Sequence, residues 1–238
     1  MNNALHRLNG FAFKKLLVMI LLIAAVAVAV PMVVKQKKAS DRTKALSNLK
    51  QIGAMLFEFD NKYGNFPDDE TAVDVKKATG TDLVLSGTFS NDYFRQLLVS
   101  SAGVREEYFW CRTAQSPTKP DEDFSTPEKA LAAGEVGYSY IMASQTQGQS
   151  SSGEPSRPVI VTPSYNFEPD WTFDPEPYQG MAIVLRLDNS ATPMQIREHD
   201  KKLPAGPPIK TLGESADSAP WTTGMSQVLR APQPRAGR

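Results

Sequence analysis

Thiol and imidazole are scarce in this chain: one cysteine, Cys111, and two histidines, His6 and His199, stand among 238 residues. A lone cysteine excludes an intramolecular disulfide framework and any cysteine-rich zinc site. A histidine-based zinc site would require both imidazoles, and His6 precedes a long hydrophobic segment. Most nucleophile–histidine chemistry is excluded on the same ground. No GxxxxGKS/T, GxGxxG or GxSxG sequence occurs, so neither a phosphate-cradling loop nor a nucleophile elbow is offered. Net charge is missing too, with 26 Lys+Arg against 26 Asp+Glu, which argues against a protein that coats nucleic acid. The cancellation joins two unlike parts. Residues 1–50 carry nine Lys/Arg against Asp41 alone, or +8, and the remainder carries 17 against 25, or −8. Such asymmetry marks a membrane or surface contact.

What is abundant lies near the N-terminus. Residues 16–34 (LLVMILLIAAVAVAVPMVV) are nineteen in a row without a charged or polar side chain. A bilayer core about 30 Å thick takes roughly 20 apolar helical residues, so this run spans it. Three kinds of segment fit. One is a cleaved secretory signal, with Arg7, Lys14 and Lys15 before the run and Ala27-Val28-Ala29 as an A-x-A site. Another is an uncleaved anchor. The third is a prepilin-type leader, cut before the run so that the helix stays in the mature protein. Lys35, Lys37, Lys38, Arg42 and Lys44 outnumber the cations ahead of the span, so a positive-inside count alone puts the C-terminal side in the cytoplasm.

The helical pattern continues past the span. Leu46, Leu49, Ile52, Leu56, Phe59 and Tyr63 recur at spacings of three and four, and the opposite face carries Lys44, Lys50, Glu58 and Asp60. No proline interrupts residues 32–63, Pro31 is placed to kink the helix, and Gly64 stands where a helix ends. A helix from about Phe11 to Tyr63 runs roughly 75–80 Å. Its first half is apolar all round and its second half amphipathic, as suits an anchored stem laid against a head.

These residues resemble the type IV pilin-like or type II secretion pseudopilin family. A short polar leader ends in Gly10, followed by Phe11-Ala12-Phe13-Lys14-Lys15-Leu16-Leu17-Val18, where family members have Gly-Phe-Thr-Leu-Ile-Glu-Leu-Leu-Val. Asn48-Leu49-Lys50-Gln51-Ile52-Gly53 and Tyr63-Gly64-Asn65-Phe66-Pro67 are similar to the NLKQIG helix and the G-x-F/Y-P exit of large prepilin-like groups. The resemblance implies leader cleavage between Gly10 and Phe11 by a prepilin peptidase. It also implies retention in the bacterial inner membrane as a single-pass protein, with the head in the periplasm or an extracellular filament. Assembly with other pilin-like subunits would use the N-terminal helix. The departures include the family's assembly position. The family's acid at the fifth place after the cut pairs with a neighbouring subunit's new amine, and here it is Lys15, beside Lys14. Two cations meeting in low dielectric repel.

The fold expected is α+β: a leader over 1–10, a transmembrane and stem helix over 11–63, an α+β head over 64–200 and a Pro-rich, disordered tail or extended coat over 201–238. Asn91-Asp92 begins a short helix ended near Gly103, and Ser125-Thr126-Pro127-Glu128 begins another ended at Gly134. Strands are read at Tyr108–Arg112, Tyr138–Met142, Pro158–Thr162, Met181–Leu187 and Thr192–Arg197, the last two joined by a hairpin at Asp188-Asn189-Ser190. An antiparallel sheet of about four strands packs on the stem. Ser144–Arg157 reads as a mobile polar excursion.

Candidate chemistry is thin, and each candidate has a structural reading beside it. Asp188 and Asn189 offer side-chain oxygens for Ca²⁺, against a plain turn. Asp121-Glu122-Asp123 is an acidic cluster or a solvated loop. Glu168, Asp170, Asp174 and Glu176 alternate with Trp171, Phe173 and Tyr178, a pattern compatible with glycan binding or cleavage, or with a loop packed on the sheet. Cys111 reads as a buried strand thiol rather than a reactive one. The leading expectation is a non-enzymatic, pilin-like structural subunit without cofactor or nucleic-acid partner, held among inner-membrane lipids. The alternative is a secreted or anchored binding module, with a glycan as its ligand.

Overall fold

The computed structural model describes residues 2–166, 171–206, 210–212 and 228–235. The chain divides into two compact units, Met1–Ser40 and Asp41–Arg238, the boundary falling within the first helix. The fold is α+β, with a long N-terminal helix and a small antiparallel sheet of five strands.

Helix α1 runs Asn2–Tyr63, with Pro31 inside it. In the first unit it is the whole structure. The described large apolar side chains from Leu16 to Val34 are 48–69 % exposed, on every face of the helix.

In the second unit α1 is a core helix. Ala45, Leu49, Ile52, Leu56 and Phe59 are fully or almost fully buried, while Leu46 and Tyr63 are only partly covered. The buried stripe is therefore turned slightly from the one expected, toward Ala45. Tyr138 needs that turn, because its hydroxyl donates to the Ala45 carbonyl at 3.1 Å. Asp60, expected on the solvent face, is also buried. Its Oδ2 accepts from the Ser151 backbone N–H at 3.1 Å and from the Ser151 hydroxyl.

Helix α2, Asp69–Thr79, was not expected. It is closed at both ends by local chemistry. Asp68 Oδ1 accepts from Thr71 N at 2.7 Å, Thr71 Oγ1 accepts from Asp68 N at 2.8 Å, and Gly80 ends the helix in the left-handed region at φ 66. Helix α3, Ser90–Ser100, starts one residue before the expected cap. Asp92 caps from inside the first turn, its Oδ2 accepting from Phe89 N at 3.1 Å. Asn91 instead donates to the Leu131 carbonyl at 2.8 Å. The strand expected at Tyr108–Arg112 does not form; Glu106–Phe109 is a 3-10 turn and the chain after it is irregular. Stem residue Asn48 holds it by donating to the carbonyls of Glu107 and Trp110 at 3.1 and 3.0 Å.

The helix expected from Ser125 does not form. The segment turns, with Leu131 in the left-handed region at φ 45, which no α-helix continues through. Arg95 donates to the Ala130 and Leu131 carbonyls at this turn.

The strands are β1 Ser139–Met142, β2 Pro158–Thr162, β3 Ser164–Asn166, β4 Thr172–Phe173, β5 Met181–Arg186, β6 Ala191–Gln195, β7 Pro204–Gly206, β8 Lys210–Thr211 and β9 Val228–Arg230. The main sheet has the order β6-β5-β2-β1-β9, every neighbour antiparallel. Both faces are covered, so its strands read as near-continuous apolar runs. Tyr140, Met142, Ile160, Ile183 and Leu185 join the stem and α3 in one core. Ile141, Val161, Ala182 and Val184 join Trp171, Phe173, Ile196, Leu203 and Leu212 in a second. The β3-β4 and β7-β8 hairpins supply most of that second layer.

Within the tail over 201–238, Pro204–Gly206, Lys210–Thr211 and Val228–Arg230 are extended strands. Val228–Arg230 is the fifth strand, pairing with β1, and the chain after it is fastened by Ser90 N to Ala231 O at 2.8 Å and Gly134 N to Gln233 O at 2.9 Å. An edge strand has one unpaired row of backbone groups, which suits a proline-rich segment. Residues 213–227 lie outside the described ones.

Candidate functional site

The residues singled out for processing lie inside α1. Gly10, Phe11 and Lys14 belong to its N-terminal part, and their side chains lie outside the described ones; Lys15 is exposed. Next comes the uncovered apolar run, and then Lys35 and Lys37, both exposed, with Lys38 half-buried. The run is long and apolar enough to cross a membrane.

The polar excursion at 144–157 is a built part of the head. Gln149 is 2 % exposed. Its Nε2 donates to Ile141 O and Pro158 O at 2.8 Å each, satisfying two sheet carbonyls, and its own carbonyl accepts from Phe66 N at 2.8 Å. Asp68 Oδ2 accepts from Gly148 N at 3.2 Å, and the Thr146 carbonyl accepts from Asp69 N at 3.2 Å. Asp60 and Asp68, at the end of the stem and the start of α2, thus receive the loop between them. Gly148 is required by proximity: a Cβ there would lie 2.4 Å from the Phe66 carbonyl oxygen.

Asp188 and Asn189 form the expected hairpin turn. Asp188 Oδ1 accepts from Ser190 N at 2.8 Å, and hydrogen bonding from Ser190, foremost from its side chain, holds the Asp188 carboxyl below the usual range. Asn189 sits at φ 61 with its side chain against the stem, where a Cβ on Gly53 would lie 1.9 Å from Asn189 Oδ1. Gly53, read from the sequence only as part of a motif, is therefore the notch that admits the hairpin. Gly→Ala inside a helix ordinarily stabilises by about 1 kcal/mol. Gly53→Ala is expected to destabilise instead, and Asn189→Gly to restore the ordinary sign. Urea unfolding of both single variants and the double variant measures the coupling, and strict additivity would refute the contact.

The other acidic candidates have local tasks. Glu122 accepts from the Glu106 and Glu107 backbone N–H groups at 3.0 Å, closing the 3-10 turn. Asp123 accepts from Ser125 N at 3.1 Å and pairs with Lys129. Asp174 Oδ1 accepts from Glu176 N at 2.9 Å, while Glu168 and Asp170 lie outside the described residues. Trp171, Phe173 and Tyr178 are buried, so they pack the head and present no stacking platform. Among the described residues no group of three or more His, Cys, Asp or Glu is arranged to hold a metal ion.

Cys111 is buried beside Thr162, and its Sγ donates to Gly137 O at 3.2 Å; burial pushes the thiol up to about 11. A thiol so held is not a nucleophile at neutral pH.

One buried group escaped the sequence reading. Glu106 is fully buried, with Oε1 accepting from Leu131 N at 2.6 Å and Oε2 without a hydrogen-bond partner among the described residues. Burial raises its carboxyl to about 7, and Glu135, Glu122 and Asp121 add to the rise. Arg95, the nearby cation, is paired to Asp92 at 2.7 Å. Nothing in the local sequence distinguishes Glu106 from the adjacent, only partly buried Glu107; only the tertiary path of 121–135 encloses it. No family model matches the chain, and no curated protein and no solved structure is significantly similar to it.

Proposed function

We propose that this chain is a membrane-anchored, pilin-like structural subunit whose N-terminal helix carries an α+β head into the periplasm. It would serve in assembly of a pilus-like or secretion pseudopilus structure as a minor subunit. The observation that supports this reading is the division within α1: apolar and uncovered on all sides before Lys35, and a core helix of the head from Ala45 onward. A helix of that kind joins a lipid-facing or helix-facing segment to a folded unit without a linker. In this reading cleavage follows Gly10, the mature chain begins at Phe11, and partners are other pilin-like helices. Lys14 and Lys15 disfavour a bulk filament position, since an adjacent subunit's amine would meet like charge.

Intact-mass measurement of the protein from membrane fractions is expected to give a chain beginning at Phe11, found in the inner membrane or in sheared filaments. A mature N-terminus at Val30 would instead remove the helix and favour the secreted binding module. Recovery of the full chain as a freely soluble cytoplasmic monomer would refute both.

A further inference from the structure

Arg157 closes the serine-rich loop and leads into β2, and it is only 8 % exposed. Its backbone is fastened on both sides: the N–H donates to Glu154 O at 3.0 Å, and the carbonyl accepts from Leu187 N at 2.9 Å. Its guanidinium is not fastened. Among the described residues, Nε lies buried without a hydrogen-bond partner and no carboxylate forms an ion pair with the group. Glu154 acts on it through space, but that side chain is exposed and its Oε1 accepts from the Ser156 hydroxyl at 3.1 Å. Asp188, whose N–H donates to Pro155 O, has Arg186 as its charged neighbour instead.

The head treats its other buried arginine differently. Arg95, 6 % exposed, meets Asp92 at 2.7 Å and donates to the Ala130 and Leu131 carbonyls. A buried charge costs free energy unless it is paired and hydrogen-bonded, and Arg157 lacks both kinds of compensation. An arriving anion would supply them.

The approach to the group is set by Gly153. A Cβ there would stand 3.6 Å from Arg157 Nη1 and 2.8 Å from Leu187 Cδ1, so the guanidinium lies close against a residue that has no side chain to cover it. Next to Gly153 is Ser152, which is exposed, and whose hydroxyl has Ser150 Oγ at 3.1 Å as its partner. A hydroxyl in that position can turn its proton to a ligand. The planar fork of a guanidinium matches the oxygens of carboxylates and phosphates alike. A further donor on a separate side chain favours a ligand whose oxygens do not all lie in one plane.

We propose that Arg157 and the Ser152 hydroxyl bind a tetrahedral oxyanion of the phosphate class at the 150–157 loop, with Gly153 admitting it to the guanidinium.

The test titrates the full chain in detergent with inorganic phosphate, at constant ionic strength set with chloride, and reads the phosphorus NMR line width. Saturable broadening with a Kd of about 1 mM is expected, the affinity that two charge-assisted hydrogen bonds supply. Arg157→Gln should weaken binding at least about tenfold, and Ser152→Ala about threefold. Near-ultraviolet circular dichroism establishes that each variant is folded. If Arg157→Gln is not, Arg157→Lys, which keeps the charge and loses the fork, takes its place and should also bind more weakly. Glycerol 3-phosphate separates the sources: displacement of phosphate supports a phosphate carried on a larger molecule, and no displacement supports the free ion. Broadening that does not saturate, or an affinity unchanged in a folded Arg157 variant or in Ser152→Ala, would overturn the proposal. So would acetate that displaces phosphate at equal concentration, because the ligand would then be a planar carboxylate.

Discussion

Acidification from about pH 8 to about pH 5 raises the thermal-unfolding midpoint of the protein in detergent, and Glu106→Gln removes most of that rise. The sign follows from where the proton binds. In the folded head burial raises the Glu106 carboxyl to about 7, while an unfolded glutamate releases its proton near 4.3. Between those values the folded state holds more protons, so stability is full below the unfolded value and is lost as pH rises through the folded one. The difference corresponds to at most about 4 kcal/mol, less whatever the polar backbone around Leu131 screens. Glu135, also raised by burial, adds a rise of the same sign. Asp188, Asp123 and Asp200 are lowered and act oppositely, but they sit at the surface, where solvent screens them. Glutamine preserves the acceptor for Leu131 N and the shape while removing the titration. A pH profile for Glu106→Gln parallel to that of the parent chain would show that the buried carboxyl is not the source.

Gly148→Ala is expected to cost about 2–3 kcal/mol, a large fraction of a typical domain's stability. The added methyl meets the Phe66 carbonyl oxygen at 2.4 Å and the Pro67 carbonyl oxygen at 3.1 Å, so backbone must move. Moving it weakens several bonds at once. Gly148 N leaves Asp68 Oδ2, and Phe66 N leaves the Gln149 carbonyl. The Gln149 side chain, which satisfies Ile141 O and Pro158 O, follows. Urea unfolding measures the loss, and amide exchange at Phe66 should accelerate with it. An unchanged midpoint with unchanged exchange would mean that the loop accommodates a side chain and is not the lock described.

The parts of this fold that could be read in advance are those governed by periodicity. The apolar run needs only counting, and Leu49, Ile52, Leu56 and Phe59 declare their face by spacing. β2 and β5 are apolar runs of strand length, and Asp188-Asn189 marks their neighbour's turn. Local signals for α2 are also present in the sequence: Asp68 with Thr71 three residues on, and Gly80 beyond the end. Other parts were hidden because distant groups decide them. Asp60 has helical spacing on a polar face, yet Ser151, ninety-one positions away, draws it inside. Residues 125–134 carry start and stop signals for a helix, but Leu131 turns left-handed there, and Arg95 and Asn91 bond its carbonyl. The serine- and glutamine-rich loop looked solvated because composition does not reveal that Gln149 can replace two missing strand partners.

The placement of β9 has a consequence for the order in which the head can form. Tyr140 pairs with Arg230, across 230 − 140 = 90 positions, and Ile141 and Met142 pair with Leu229 and Val228. Contacts of such separation close late, because the entropy of joining distant chain segments is lost before the pairing repays it. A ribosome or translocation channel delivers β1 well before β9. Through that interval β1 is a sheet edge with its N–H and C=O groups unpaired, and an open edge recruits any other strand within reach. Subunits emerging side by side at one membrane would each carry this open edge at the same stage. The head's protection against pairing with its neighbours thus arrives with the segment that composition alone marks as least structured.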